Sequence, residues 1–497
     1  MTETDPHGYY AALKARDARF DGRFFVGVSS TRIYCRPICR ARLPKQENCT
    51  FFSTPAEAEQ AGYRPCLLCR PELAPGRSVM DATAVLAHRA ARLLEEDCGN
   101  GQGLERLAGR LGCTSRHLRR VFSEEYHVSP VQYLQTCRLL MSKSLLTDTD
   151  LPISDIAMSA GFGSLRRFND LFKTQYRLSP SQFRRGIPSR EAHRSEITLH
   201  LGYRPPYRWQ ELIDFLAMRA ISGVEAVRNG TYLRTVHLAA EGKADTHGWI
   251  RISNDEKKNM LNVTLSATLL PHVPLVLARI RHLFDLESDP NAINEVLVGM
   301  NDLVPGLPVP GVRVPGCFDA FETTVRAVLG QQVTVKAAST LAARMVSAYG
   351  IPLATGIEGL THAFPTPERI LELGSPLSDR LGPLGITAAR ARTIQALALS
   401  HVHGSIDLSP SAQPETEMEK LLALPGIGPW TAHYLAMRVM GWPDAFLETD
   451  HGVKKALSPR TPQEIRELAE AWHPWRSYAT INLWNSLAWQ DSSLTSH

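Results

Sequence analysis

Long apolar runs are missing from this chain. No stretch approaches the ~20 consecutive apolar residues that span a bilayer. Met1 to Tyr10 is polar rather than signal-like, so secretion is not expected. Cysteine is scarce: nine in 497 residues is too few for a disulfide scaffold. A cytoplasmic, reducing setting is the expected one, and there paired cysteines favour metal over disulfide. Strong charge of one sign is also lacking, since the net charge is only +5. That near-balance hides an asymmetry. Residues 1–190 hold 28 Lys and Arg against 19 Asp and Glu, and the remainder holds 27 against 31. A basic N-terminal half points to a polyanionic partner. What the chain does have is length for three or four domains and 43% hydrophobic residues to fill their cores.

Four of the nine cysteines are paired at short spacing: Cys35-x3-Cys39, then Cys66-x2-Cys69. Thiolates so spaced can converge on one tetrahedral Zn²⁺. The context is Arg32-Ile-Tyr-Cys35-Arg-Pro-Ile-Cys39-Arg-Ala-Arg42 and Arg64-Pro-Cys66-Leu-Leu-Cys69-Arg70. Arg36, Arg40, Arg42, Arg64 and Arg70 thus flank a centre of net negative charge, an arrangement suited to phosphate. A purely structural zinc knot is the competing reading of the spacing alone. Cys49, Cys98, Cys113, Cys137 and Cys317 lack such pairing and read as small buried hydrophobes.

The motif extends to Asp17-Ala-Arg-Phe-Asp-Gly, Glu47-Asn48 and Ala61-Gly-Tyr-Arg-Pro-Cys66. Together these resemble the N-terminal domain of the Ada adaptive-response proteins, over residues 1–78. The resemblance implies a zinc-bound thiolate, at Cys35, that accepts methyl from a DNA methylphosphotriester. Loss of one negative charge on methylation would then tighten DNA binding, a charge-based switch.

Residues 80–187 read as helical and repeat with an offset near fifty. Leu104-Glu-Arg-Leu-Ala108, Gly112, Ser115–Phe122 and Ser129-Pro130 are echoed by Ile153-Ser-Asp-Ile-Ala157, Gly161, Ser164–Phe168 and Ser179-Pro180. A glycine at a tight turn between two helices is helix-turn-helix grammar. Two copies with Ser-Pro endings resemble the AraC-type activator domain, all-α and DNA-binding. Arg116, His117, Arg119 and Arg120 fall on the first recognition helix, Arg166 and Arg167 on the second. Each is a candidate for base edges or for phosphate, and a solvated basic helix is the competing reading for any one of them.

Residues 196–308 alternate apolar and polar at 198–201, 231–237, 249–254 and 262–267, predicting strands. Helical periodicity appears at 209–219 and 275–284. Tyr203-Arg-Pro-Pro-Tyr207-Arg-Trp209 and Phe215-Leu-Ala-x-Arg219-Ala resemble the α+β N-terminal domain of AlkA-type 3-methyladenine DNA glycosylases. Residues 309–497 extend that resemblance through Pro315-Gly-Cys-x-Asp319-Ala-Phe321-Glu, Leu329-Gly-Gln331 and Pro474-Trp-Arg-Ser-Tyr-Ala479. Leu424-Pro-Gly426-Ile-Gly428-Pro-Trp430 is similar to a helix-hairpin-helix. Gly426 and Gly428 would let exposed amides approach a DNA phosphate.

The glycosylase resemblance implies that Asp450, twenty residues past Trp430, is catalytic. It also implies that Trp430, Tyr434, Trp484 and Phe215 face a flipped base, and that Gln332 stands where the family has a wedge. Tryptophan at 430 replaces the lysine of bifunctional lyases, and no cysteine cluster for an iron–sulfur centre follows. A monofunctional glycosylase needing no cofactor is expected. No Pro-Cys-His-Arg motif of an O6-alkylguanine transferase is present. The whole is expected to be a multidomain α+β chain combining methyl sensor, transcriptional activator and base excision repair enzyme. Zn²⁺, double-stranded DNA and RNA polymerase are its expected partners. Two other readings stay open: a repair enzyme whose N-terminal half only targets DNA, and a regulator whose glycosylase domain merely binds lesions.

Overall fold

A computed structural model of the chain describes residues 6–76, 85–96, 103–185, 195–239 and 245–494. It divides into two compact units. The first holds residues up to 205 with 254–281 and 286–288; the second holds 206–253, 282–285 and 289–497. Among the described residues no helix is long and apolar enough to cross a membrane.

In the first unit a four-stranded sheet runs in the order Cys49–Phe52, Phe25–Val28, Ile33–Cys35, Arg64–Pro65. The first three strands are antiparallel. The last lies parallel to Ile33–Cys35, with Tyr34 opposite Pro65. Alternation sends strand neighbours to opposite faces. Phe25, Tyr34 and Phe52 therefore join Tyr63 in one buried cluster. Val26 and Cys35 join Leu13, Cys39 and Cys66 in another.

The helix pairs Leu104–Arg110 with Ser115–Tyr126, and Ile153–Ser159 with Leu165–Tyr176, are the two copies of the repeat. Thr114 and Ser164 cap the second helix of each, accepting from the N–H of His117 and Arg167. The Ser-Pro ending is the start of the next helix. Ser129 forms a capping box with Gln132, and Pro130 opens the helix Pro130–Asp148, where its missing N–H costs nothing.

Buried polar contacts tie the cysteine block to that helix. Arg70 donates to both oxygens of Asp148 at 2.8 and 2.6 Å and to Glu72 at 2.9 Å. Lys143 meets the other Glu72 oxygen at 2.5 Å. The Thr136 and Tyr34 hydroxyls each donate to Glu59 at 3.1 Å. The same unit contains the antiparallel pair Glu196–Gly202 and Met260–Ser266. Arg204, fully buried, donates to the carbonyls of Asp21, Gly76 and Glu287 at 3.0, 2.7 and 2.7 Å. Gly22 faces the Pro75 carbonyl, where a Cβ would stand 2.0 Å away.

The second unit holds the helix Trp209–Arg219 and an antiparallel meander, Glu225–Arg228, Thr231–Leu238 and Thr246–Asp255. Helices Ala320–Leu329, Val335–Tyr349, Ala388–Val402, Pro429–Arg438, His451–Ala456 and Arg476–Leu494 surround one large core. Meander and helices share buried charge. Arg326 meets Glu225 at 2.8 Å and Glu322 at 2.9 Å, and Arg234 meets Glu322 at 2.7 Å. The expected strands and helices of the third block are present. Glu225–Arg228 is additional: its four residues begin on a buried glutamate, which breaks the apolar alternation.

Candidate metal centre and active site

The sheet builds the metal centre. Cys35 ends one strand and Cys66 follows its parallel neighbour, with the Cys66 N–H donating to the Tyr34 carbonyl at 3.0 Å. Cys39 and Cys69 return from short turns, the Cys39 N–H donating to the Arg36 carbonyl at 3.1 Å. The four Sγ atoms lie within 4.8 Å of one another. Four convergent thiols at that separation fit a closed tetrahedral zinc site. The thiols compete for protons: hydrogen bonds to Cys39, Cys66 and Cys69 push the Cys35 thiol up, and those with Cys35, Cys39 and Cys69 pull Cys66 down. A bound cation removes that competition, because it favours the thiolate at every position.

The arginines around the centre divide into two kinds. Arg36 is buried: its guanidinium pairs with Asp21 and donates to the Cys69 carbonyl at 3.2 Å, and its N–H donates to Cys69 Sγ at 3.3 Å. Arg70 is spoken for by Asp148 and Glu72. Neither presents its charge to DNA, contrary to the expectation from sequence; both hold the protein together. Arg40 and Arg42 are exposed and Arg64 half-buried.

In the second unit, Asp450 caps the helix His451–Ala456, its Oδ1 accepting from the Val453 N–H at 3.1 Å. The same oxygen accepts from the Trp484 indole at 2.8 Å, and Oδ2 accepts from the Trp430 indole at 3.0 Å. The carboxylate is thus fixed by three donors at the edge of a cavity of about 500 Å³. Trp430 stacks on Tyr434, ring centroids 5.1 Å apart, and Arg438 donates to the Tyr434 hydroxyl at 2.7 Å. Burial raises the Tyr434 pKa, but Arg438 and Arg219 outweigh it and bring it below the ordinary value. Burial, with Arg438 and Arg326 nearby, lowers Arg219 to about 10.

Four family models match consecutive parts of the chain. They are the metal binding domain of Ada (residues 8–72), a helix-turn-helix domain (107–186), the AlkA N-terminal domain (198–319) and the HhH-GPD superfamily base excision DNA repair protein (325–474). A probable bifunctional transcriptional activator/DNA repair enzyme AlkA of Mycobacterium tuberculosis is 36% identical over 494 residues, covering 96% of both chains. The chain belongs to this family of bifunctional activator/repair proteins. Its two halves have separate relatives as well. The Escherichia coli DNA-3-methyladenine glycosylase 2 is 38% identical over 58% of this chain and 98% of its own length. The Escherichia coli bifunctional transcriptional activator/DNA repair enzyme Ada is 32% identical over 37% of this chain and 50% of its own length.

Against that family frame, the structure brings together Cys35, Cys39, Cys66 and Cys69, and separately Trp430, Tyr434, Trp484 and Asp450. Phe215 does not line the cavity: it is buried, with Arg219 3.6 Å and Arg438 4.9 Å from its ring centroid. The ring also stacks on Trp484, centroids 6.5 Å apart, so Phe215 stands behind the residues that line the cavity rather than facing it. Gln332 is exposed at φ +55, while its neighbour Gln331 donates to the Gly426 carbonyl at 3.0 Å and to Thr431 at 3.1 Å, bracing the hairpin. Gly426 has φ +79, and a Cβ there would meet Thr393 Oγ1 at 2.2 Å; Gly428 precedes the Trp430 helix in extended conformation. Arg116, His117, Arg119, Arg120, Arg166 and Arg167 are all exposed on the two second helices, with Arg120 paired to Glu124 at 3.1 Å.

The sequence reading missed Arg438, Arg219 and His451, which line the cavity. Helical spacing held the signal for the first two, since Arg438 is four residues past Tyr434 and Arg219 four past Phe215. Of the unpaired cysteines only Cys317 is buried; Cys49, Cys113 and Cys137 are half-buried, and Cys98 lies outside the described residues.

Proposed function

We propose that this chain is an alkylation-damage response protein with two reactions. In the first, Cys35 takes the methyl group of a DNA methylphosphotriester, once per molecule, and the methylated protein activates transcription through its two helix-turn-helices, engaging RNA polymerase. In the second, the C-terminal half hydrolyses the glycosidic bond of alkylated purines such as 3-methyladenine and 7-methylguanine, starting base excision repair. The proposed domain division is 1–78, 80–187, 196–308 and 309–497, and the proposed setting is the cytoplasm. The observation that carries the reading is that one chain holds both a four-thiol cluster and an aspartate clamped by two indoles beside a base-sized cavity.

Zinc held by Cys35, Cys39, Cys66 and Cys69 would keep the thiolates deprotonated at neutral pH. Cys35 sulfur attacks the methyl carbon, the carbon–oxygen bond breaks, and its electron pair stays on the phosphate as a diester anion. Conversion of Cys35 to a thioether removes one negative charge, and repulsion from DNA falls with it. The Arg36 N–H bonded to Cys69 Sγ draws density from Cys69 and leaves Cys35 the better nucleophile.

For the glycosylase, the lesion must be flipped out of the duplex. An N3- or N7-alkylated purine is a cationic leaving group and needs no acid. One carboxylate suffices: Asp450 stabilises positive charge on the sugar and orients water. Its three donors fix its direction before substrate arrives. No lysine lines the cavity among the described residues, which supports a monofunctional reaction without a Schiff base. The glycosylase reaction is read as needing no cofactor.

The test is peptide mapping after incubation with methylphosphotriester DNA, followed by transcript profiling in wild type and Cys35→Ala. A gain of one methylene at Cys35 and loss of the induced transcripts in the variant are expected. Methylation at a different cysteine would refute the assignment, and unchanged induction would leave only the repair reading. Borohydride trapping of an enzyme–DNA adduct would overturn the monofunctional reading.

A further inference from the structure

We propose that Lys14 and Arg16 form the phosphate clamp of the methyl-acceptor site, a role that rests on the reading of Cys35 as acceptor. A cavity of about 470 Å³ lies over Cys35 and Cys39. Its wall is apolar, from Leu13, Val26 and Ile33, and its cations are Lys14, Arg16 and Arg42. The chemistry matches a methylphosphotriester. The alkylated phosphate is neutral and its methyl group apolar, whereas the flanking phosphates are anionic.

Some cation must meet those phosphates, and two of the arginines next to the thiols in sequence are not available, while the exposed Arg42 shares the cavity with Lys14 and Arg16. Arg36 is buried on Asp21, and Arg70 is held by Asp148 and Glu72. Lys14 and Arg16 are both exposed. Lys14 lies in the last turn of the helix Pro6–Ala15 and Arg16 directly follows it, on backbone tied to the fold at several points. Leu13 between them and the sheet is buried in the cysteine cluster, the Arg16 N–H donates to the Leu13 carbonyl at 3.1 Å, and the Asp17 N–H donates to the Ala12 carbonyl at 3.0 Å. The acidic neighbour does not neutralise them. Asp17 is taken by Arg19, at 2.6 to 3.0 Å through Nε, Nη2 and the main chain. Burial against Leu13 fixes the segment, and Arg16 leaves it at φ +51, turning away from the helix axis.

The clamp acts on the transition state as well as on binding. As the Cys35 sulfur–carbon bond forms and the carbon–oxygen bond breaks, the departing phosphate oxygen gains a full negative charge; no proton moves. A cation fixed beside that oxygen is worth more in the transition state than in the neutral triester. This is differential stabilisation, so the rate of transfer should suffer more than the affinity for undamaged DNA.

The experiment uses the full-length, zinc-loaded protein and a duplex with a single methylphosphotriester. Single-turnover methylation of Cys35 is followed by mass across a salt series, for wild type, Lys14→Gln, Arg16→Gln, the double variant and Arg16→Lys. A parallel series uses methyl iodide, which carries no phosphate. The double variant should transfer from DNA about 10–100-fold more slowly, and each lost cation should reduce the salt slope by about 1. Arg16→Lys should recover much of the rate, and reaction with methyl iodide should not change. Unchanged rate and slope in the double variant would overturn the proposal. So would an equal loss with methyl iodide, which would mean that the thiolate itself was damaged. Wild type that reacts with methyl iodide but never with the triester duplex would sink the acceptor reading, a separate outcome from failure of the clamp.

Discussion

Asp450 accepts from the indoles of Trp430 and Trp484 and from the Val453 N–H. Asparagine keeps the helix cap but places an amide N–H₂ against an indole N–H, and it removes the charge. Asp450→Asn should therefore slow release of 3-methyladenine by about 10²–10³ in single turnovers, while binding to an abasic-site duplex changes little. Near-normal release would displace Asp450 from catalysis. Arg36 belongs at the same scale for the opposite reason. Its charge is matched inside the protein, by Asp21, with side chains 9% and 5% exposed. Arg36→Ala leaves that carboxylate buried without its cation and should cost roughly 3–5 kcal/mol of stability in denaturant unfolding. The salt slope of DNA binding should stay as it is; a reduced slope would return Arg36 to the DNA-contacting set.

The helix Pro130–Asp148 shows what a single element carries. Glu59, bonded by Tyr34 and by Thr136 of that helix, is fully buried, and burial pushes its pKa up to about 8 from 4.5, against the two hydrogen bonds. The folded state thus holds a proton on Glu59 that the unfolded chain releases between those values. Stability from this group is complete below about pH 4.5 and is lost as pH rises to about 8, a few kcal/mol at ~1.4 kcal/mol per unit. Glu59→Gln removes the titration and keeps the contacts once one hydroxyl turns to accept from the amide N–H₂ while the other donates to its oxygen, so its advantage over wild type should appear at pH 8 and vanish at pH 4.5. A variant equally stable relative to wild type at both pH values would contradict this.

Much of the element pattern was legible in the sequence because its causes are local. Ser129-Pro130 is a cap and a first turn, decided within four residues. The two short cysteine pairs likewise announce which thiols meet, and the four Sγ atoms do lie within 4.8 Å of one another. The partners of charge were not legible, since Asp21 lies 15 residues from Arg36, Asp148 78 from Arg70, and Glu225 101 from Arg326. A sequence shows that an arginine is charged but not which distant carboxylate meets it. For the same reason Arg36 and Arg70 read as DNA contacts, and the strand opening at Glu225 went unseen.

At the scale of the whole molecule, the thiol cluster is built entirely in the first unit and the Asp450 cavity entirely in the second. Removing zinc with a chelator, or replacing Cys39 by alanine, should abolish methyl transfer and leave excision of 3-methyladenine within about twofold, since the cavity's lining comes from the second unit alone and includes none of the four thiols. Loss of excision on chelation would show that the two reactions share a metal. The first unit itself is less separable. Arg204 closes on carbonyls before, within and far beyond the stretch that follows Cys69, and Gly22 leaves room only for Pro75. The segments that meet at Arg204 are mutually dependent in packing, because one buried guanidinium satisfies three carbonyls drawn from three separate stretches. A chimera that borrows its first 76 residues from another protein should lose stability unless the graft brings a glycine at 22 and carbonyls that Arg204 can meet, so one guanidinium limits where this chain can be cut and rejoined.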